Sequence, residues 1–266
     1  YEQDPRCDVV ALNDIDVEKG RAFRAVFDLD ARVFADHREM LKQEKPDIVS
    51  VCVWPQLHYA MIRDCMKSGV RAVHSEKPMA PTWGDALKIA ELAKESKTQL
   101  TFNHQRRFKP SYHTAKNLLD EGEIGEFRRM EIFIHRHLLD MGTHLIDLAF
   151  MMNDDEPARW VMGQIDATET HSWFDVPCEH AGLGWIRFEN DVRATVYVGD
   201  DHDPAIHYGL RLIGDRGTIE LQKETLLRIL RLDNGGWEEQ EWEDPENRIT
   251  MAAVIDDVLE NLERRN

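Results

Sequence analysis

The chain has 266 residues, 50 of them acidic and 33 basic, for a formal charge of −17 at neutral pH. An average field of that sign repels nucleic acid and anionic lipid, so the expected partner is a neutral or weakly charged small molecule, with no nucleic acid and no membrane. Cys7, Cys52, Cys65 and Cys178 show neither paired zinc spacing nor a dense disulfide framework, and no apolar run approaches the ~20 residues that cross a bilayer, so the setting expected is cytoplasmic. The chain opens at Tyr1 without a methionine, which leaves a removed export signal as the alternative.

From the N-terminus, Asp8 to Leu12 is a short apolar run that ends in Asn13-Asp14, and a helical pattern from Val17 to Phe27 follows it. The alternation recurs. Ile48 to Val53 is rich in β-branched residues, Gln56 to Lys67 is helical in pattern, and Val70 to Val73 is again strand-like. Thr82-Trp83-Gly84-Asp85 has the form of a capping box opening a helix that runs toward Ser96, and Thr98 to Phe102 is the next strand. Alternating strands and helices predict a parallel sheet, whose ligand binds outside the carboxyl ends of the strands. Asp14, Trp54, Lys77 and Asn103 all stand at such ends.

After Phe108 the pattern changes. A helix to about Glu121, a strand from Phe127 and a short helix over Gly142 to Met152 precede a series of strand candidates: Leu183 to Phe188, Val192 to Val198, Tyr208 to Ile213, Thr218 to Leu221 and Leu226 to Leu232. The turn signals between them, including Asp233-Asn234-Gly235-Gly236, predict an antiparallel sheet. Its second face, with Trp185, Tyr197 and Tyr208, reads as a surface for a homodimer or homotetramer. Glu238 to Glu246 reads as a solvated strand end and turn, and Arg248 to Arg264 as a last helix. The expected class is α/β then α+β: an incomplete Rossmann-type parallel-sheet domain over residues 1–103, then a domain over 104–266 with an open, mainly antiparallel sheet.

Two segments carry chemistry. Ser75-Glu76-Lys77-Pro78 puts an amine at the end of an apolar run, and Asp140-Met141-Gly142-Thr143-His144-Leu145-Ile146-Asp147 puts an acid and an imidazole about one turn apart. An imidazole with an ordinary pKa of ~6.5 suits removal of a hydroxyl proton, and an ammonium suits a developing alkoxide. Plainer readings exist for each: Asp140 as a helix cap through the amide of Thr143, His144 as a core histidine, Lys77 as a solvated loop residue, Asp14 as a turn residue. His135, His137 and His144 form only a weak metal pattern, so no metal is expected. Of Asn103-His104-Gln105-Arg106-Arg107, the amides are expected to face a cofactor cleft while Arg106 or Arg107 pairs with acidic surface.

Glu76-Lys77-Pro78 after a strand, Asn103 before Arg107-Phe108, and the spacing of Asp140, Gly142, His144 and Asp147 resemble the family of glucose-fructose oxidoreductase, inositol dehydrogenase and MocA-type oxidoreductases along nearly the whole chain. The resemblance implies an NAD-dependent enzyme, with NADP less favoured, that transfers hydride between nicotinamide and a secondary alcohol or ketone of a sugar, inositol or related polyol. It implies Lys77, Asp140 and His144 as catalytic residues. It implies Asp14 as acceptor for the adenosine ribose, and Trp54, Pro55, His58, Glu76, Lys77, Asn103 and Gln105 as cofactor-binding.

The 15 glycines contain no Gly-x-Gly-x-x-Gly; Gly182 and Gly184 come nearest, but Arg187 stands where the third would fall. The family's first strand, glycine-rich turn and first helix would precede Tyr1, so these residues read as an incomplete dehydrogenase chain whose neighbouring strands have an uncovered edge. The alternative is a non-catalytic sugar-binding or dimerisation protein that has lost the phosphate loop. A third reading is glycosidic bond cleavage with retained NAD.

Overall fold

The computed structural model describes residues 1, 3–169, 171–199, 206–233, 235–243 and 248–264. They divide into two units: one runs from Tyr1 to Asn103 and takes in the C-terminal helix from Ile255 on, and the other runs from His104 to Val254.

In the first unit, β1 (Ala11–Asn13) and β2 (Arg32–Phe34) pair in parallel, with α1 (Val17–Val26) as the crossover. Asp16 begins α1 by accepting the Glu18 N–H at 3.1 Å. Gly20 lets the helix lie on the strand, since a Cβ there would stand 2.6 Å from Val33 Cγ1. After α2 (His37–Glu44), β3 (Ile48–Val51), β4 (Ala72–Ser75) and β5 (Gln99–Phe102) form a second parallel sheet through α3 (His58–Ser68) and α4 (Trp83–Glu95). The strand expected over Ile48 to Val53 stops at Val51, where the chain turns out toward Trp54. Helix α3 ends on Gly69 in the left-handed region, φ +84°, and α4 opens on the expected cap, with Thr82 Oγ1 accepting from Asp85 N at 3.2 Å. The two parallel sheets are not hydrogen-bonded to each other, so β1 and β3 each keep an edge that no described strand covers. Ile62, Val73 and Ile89 are fully buried at the centre of this unit. Gln99 Nε2 donates to Val258 O at 3.0 Å, which ties the end of the last helix to β5.

The second unit begins with α5 (Pro110–Asp120), β6 (Phe127–Ile134), α6 (Thr143–Met152), β7 (Ala158–Asp166) and a two-stranded ribbon of β8 (His171–Trp173) and β9 (Val176–Cys178). It continues through β10 (Ala181–Phe188), β11 (Arg193–Val198), β12 (Gly209–Gly214), β13 (Gly217–Gln222), β14 (Leu226–Arg231), β15 (Trp237–Glu241) and the start of α7 (Arg248–Arg264). Eight strands form one open sheet in the order β15-β14-β13-β12-β6-β11-β10-β7, antiparallel throughout except for the parallel pair β6 and β11. The sheet is therefore mixed and mainly antiparallel. Gly182 and Gly184 lie inside β10, in strand pairing rather than in a loop. The expected turn around Asn234 and the end of the segment from Glu238 to Glu246 fall partly outside the described residues.

Period-two alternation separates the two faces of this sheet. Met130, Ile132 and Ile134 of β6, Val196 and Val198 of β11, Leu210 and Leu212 of β12, and Ile219 and Leu221 of β13 bury one face beneath Tyr112 and Ala115 of α5 and Leu145 and Leu148 of α6. Tyr208, expected on the open face, belongs to this core instead and is 7% exposed. It precedes β12, so the strand's alternation does not fix where its ring points. On the open face, Trp160, Met162, Leu183 and Trp185 form an exposed apolar end. Glu131, Arg211, Glu220, Arg228 and Glu239 make a ladder of alternating charge across β6, β12, β13, β14 and β15.

Candidate functional site

Each unit holds part of the residue set singled out in the sequence. In the first, register decides the arrangement: Val51, Ser75 and Phe102 lie side by side in adjacent parallel strands, so Trp54, Lys77 and Asn103 all leave the carboxyl edge of one sheet. Glu76 N–H donates to Val51 O at 2.9 Å and Asn103 N–H to Ser75 O at 2.8 Å, which extends the ladder one residue beyond the strands. Asn103 Nδ2 donates to Glu76 Oε1 at 2.7 Å, and the Lys77 N–H donates to the other carboxylate oxygen at 3.3 Å. Glu76 thus braces the turn and leaves Lys77, half-buried, at its tip. The Lys77–Pro78 peptide is cis.

His58 acts inside the scaffold. It is fully buried at the start of α3, with Nδ1 2.9 Å from Pro78 O and Nε2 3.0 Å from Val53 O. The ring spans from the end of the first loop to the Glu76-Lys77-Pro78 turn, and both its nitrogens are taken up by backbone. The ring thus links those two loops. Pro55 is buried in the one-turn helix Pro55–Leu57 beside it, while Trp54 is 52% exposed at the strand end. Asp14 follows β1 in the separate two-stranded sheet, half-buried, with Oδ1 accepting from Asp16 N at 2.8 Å.

These residues fit a dinucleotide's ribose and nicotinamide. Asn103 is 6% exposed, and its carbonyl oxygen is buried with no hydrogen-bond partner among the described residues, while its amide nitrogen is committed to Glu76. An orphan acceptor suits a carboxamide donor, and an exposed tryptophan two strands away on the same sheet edge suits a planar ring. Asp14 presents a carboxylate at a strand tip, as a ribose diol requires.

In the second unit the chemistry follows β6. His137 Nδ1 lies 2.9 Å from Glu179 O, and the Leu138 N–H donates to Glu179 Oε1 at 2.6 Å. The chain then makes one widened turn, Leu138–Gly142, in which the Gly142 N–H reaches back to His137 O, before α6 begins at Thr143. Asp140 lies within this π turn. The turn is closed by backbone bonds, with the Met141 and Gly142 N–H groups both donating to His137 O. Asp140 is 9% exposed and His144 3%; His144 meets His104 edge-on, ring centroids 5.5 Å apart. Arg136 stands 3.9 Å from Asp140 Oδ2.

Asp147, the last acid of the motif, is anchored. Arg107 Nε donates to its carboxylate at 2.7 Å, Nη2 to its backbone carbonyl at 3.2 Å, and the same guanidinium holds Asp155 at 2.6 Å. The hydrogen bond from Arg107 keeps the Asp155 carboxyl below its usual range. Arg106 pairs with Glu224, to which Lys109 also reaches at 3.2 Å. Arg106 and Arg107 are therefore both engaged in ion pairs, as expected of at least one of them. Gln105 lies in the one-turn helix Gln105–Phe108, its carbonyl oxygen buried without a partner among the described residues. His135 packs on His207 with centroids 4.0 Å apart, so the weak metal set of His135, His137 and His144 sends its rings in three directions.

Glu179 was not singled out from sequence, and Tyr208 was singled out only for the open sheet face. Glu179 supports His137 and Leu138 from a segment forty residues away, which no local signal reveals. Tyr208 lies beneath the Arg106 guanidinium, 5.0 Å from ring centroid to Cζ, and burial pushes its phenol upward in pKa.

Comparison with known proteins bears on the fold and the family. Residues 1–104 match the oxidoreductase family with an NAD-binding Rossmann fold, and residues 134–220 match the GFO/IDH/MocA C-terminal domain. An inositol 2-dehydrogenase of Burkholderia lata is 27% identical over 177 residues, which cover 65% of this chain and 52% of that enzyme; the chain thus matches about half the length of that relative. Among solved structures, an inositol dehydrogenase homolog of Azotobacter vinelandii, complexed with NADH and myo-inositol, superposes with a TM-score of 0.71 at 21% identity, over 88% of this chain and 67% of that one. The super-repressor mutant of Gal80p from Saccharomyces cerevisiae superposes with a TM-score of 0.82 at 14% identity, over 95% and 76%. At these identities the superpositions speak for the fold. Taken with the two domain matches in their order along the chain, they place it in the Gfo/Idh/MocA oxidoreductase family, with an NAD-binding Rossmann domain followed by that family's C-terminal domain.

Proposed function

We propose that this chain carries the reacting groups of an NAD-dependent dehydrogenase acting on a secondary alcohol of a sugar, inositol or similar polyol, or on the corresponding ketone. The observation that carries this reading is the convergence of Glu76, Lys77 and Asn103 at the carboxyl edge of adjacent parallel strands, with Glu76 bracing the turn. NAD, when bound, supplies the acceptor for the two electrons and hydrogen that leave the carbinol carbon. His144 takes the hydroxyl proton as the C=O bond forms. Lys77 donates a hydrogen bond to the reacting oxygen and stabilises its developing charge. Asp140 orients the substrate from the turn before α6, and Glu76 and His58 keep the Lys77 turn in position. The apolar end of the open sheet face, around Trp160, Met162, Leu183 and Trp185, pairs two copies of the chain.

The test is a titration of the full-length protein into NADH, followed by turnover with a panel of inositols and sugars. Binding of NADH and oxidation of a polyol are expected. His144→Asn should lower kcat by roughly 10²–10⁴-fold while leaving NADH affinity in place. Lys77→Met should lower kcat and weaken the cofactor as well. A second reading is a sugar-binding protein without catalysis. A sugar that binds while NADH fluorescence stays unchanged establishes that reading and removes the first.

A further inference from the structure

Glu169, His171 and His180 form a second cluster, which meets the segment described above where the His171 ring stands 5.5 Å from that of His137. β8 and β9 pair antiparallel, with His171 opposite Cys178, through a two-residue turn whose Phe174 and Asp175 have φ of +47° and +60°. Directly opposed residues of such a pair share a face, and so do residues two apart, which brings His171 and His180 to one side of the ribbon. His171 Nε2 and His180 Nδ1 are 3.1 Å apart, and Glu169 Oε2 stands 3.7 Å from the first and 3.8 Å from the second.

A hydrogen bond between the rings accounts for the first of these distances but not for the other two. The carboxylate oxygen is nearly equidistant from both nitrogens and beyond good hydrogen-bond reach of either. A central cation accounts for all three. Metal–nitrogen and metal–oxygen bonds of about 2.0–2.2 Å at a tetrahedral centre separate ligand atoms by roughly 3.4 Å, and the observed triangle brackets that spacing. Two imidazoles and one carboxylate are a donor set for zinc and similar divalent transition metals, with a fourth position left for water. Cys178 shares the face, but its Sγ is directed to Val176 O at 3.4 Å.

We propose that Glu169, His171 and His180 bind one divalent cation of the zinc class. The cation would staple a two-stranded ribbon that, by itself, is a marginal structure in water. The ribbon leads into Glu179, whose carbonyl and carboxylate hold His137 and Leu138 at the start of the segment bearing Asp140 and His144. Metal binding thus firms a support of the candidate site without touching it.

Calorimetric titration of Zn2+ into metal-free, full-length protein tests this. One ion per chain is expected, with affinity lowered more than about tenfold in His171→Asn and in Glu169→Gln. His113→Asn, on α5, should bind as the parent does. Glu169 is largely exposed, so its replacement leaves the fold intact and carries the test should the histidine variant not fold. Zinc that fails to bind the parent, that binds both ribbon variants as tightly as the parent, or that is lost equally in His113→Asn overturns the proposal.

Discussion

The two units of this chain hold their chemistry by different means. In the first, the candidate edge is an extension of the sheet: Glu76, Asn103 and His58 are placed by backbone amides and carbonyls at the ends of parallel strands. In the second, the corresponding segment leaves the sheet through a widened turn and is held by distant side chains, Glu179 on one side and Arg107 on the other. Their cores differ in the same direction. Ten buried apolar residues cluster in the first unit, against twenty-four in the second among the described residues. Where the core is small, polar clips carry a larger share of the structure; where it is large, the sheet stands by itself and the site can be hung from it.

The largest effect should therefore come from the second core. Phe188 is fully buried, with Phe150 edge-on to its ring at 5.3 Å, and Phe188→Ala is expected to cost about 3–5 kcal/mol. Ile62→Ala, at the centre of the first unit, should cost about 2–5 kcal/mol. In urea, followed by hydrogen exchange of each unit, the phenylalanine variant should lower protection of residues 104–254 first and the isoleucine variant that of residues 1–103. A single transition shifted equally everywhere by both would erase the contrast between the units.

The polar clips come next. His58→Leu fills the space but removes the one N–H with which a neutral ring donates to the carbonyl of Val53 or of Pro78, a loss of about 1–3 kcal/mol. The loss should appear as lowered stability of residues 1–103 together with weaker NADH binding. If the variant keeps NADH affinity unchanged, the histidine is a core residue with no bearing on the loops.

Asp64 is a smaller clip, joining α3 to α2. Burial works against its ionisation, but Arg38 at 2.7 Å, His37 at 3.0 Å and Arg63 at 2.9 Å outweigh it and hold the carboxyl well below its ordinary range. Because the folded value lies below the unfolded one, this stabilisation is present in full above the unfolded pKa of ~3.9 and is lost as pH falls through the folded value. Arg38 is largely in solvent, so screening limits the worth of the group, and Asp64→Asn should cost about 1 kcal/mol at pH 7. Thermal melts from pH 6 down to pH 2 should show the gap between parent and variant narrowing steadily below about pH 4. Curves that stay parallel would assign the loss to packing rather than charge.

These differences also explain what was legible in the sequence. Strands buried on both faces announce themselves as apolar runs, so β3, β4 and β5, and the edge where Trp54, Lys77 and Asn103 gather, follow directly from the pattern. The capping box at Thr82 and the glycine after α3 mark helix ends for local reasons that sequence carries. β7 escaped because all nine of its residues are exposed, which removes the alternation that identifies a strand. β8 and β9 escaped because three-residue strands have no period to read. The π turn at Asp140 was read as ordinary helix, since an inserted residue in a backbone spiral leaves no mark in composition. The anchoring of Asp147 by Arg107 and of Leu138 by Glu179 depends on chain segments that meet only after folding.

The smallest change in stability and the sharpest change in assembly should coincide on the open face of the large sheet. Its two ends are built oppositely: the Glu131-Arg211-Glu220-Arg228-Glu239 ladder satisfies its charges within one chain, while Trp160, Met162, Leu183 and Trp185 expose large apolar surfaces that none of the described residues covers. Trp185 is 47% exposed, so Trp185→Lys is expected to alter the stability of the isolated chain by no more than about 0.5 kcal/mol. If two copies pair through this end, the same substitution places two cations in a desolvated contact, and light scattering should show the assembly reduced to single chains. The counterpart at the charged end, Glu239→Gln, removes one partner of Arg228 at the sheet edge and should leave the assembly as it was. Equal behaviour of the two variants, whether both assembled or both dispersed, would mean that the apolar end is not where copies meet.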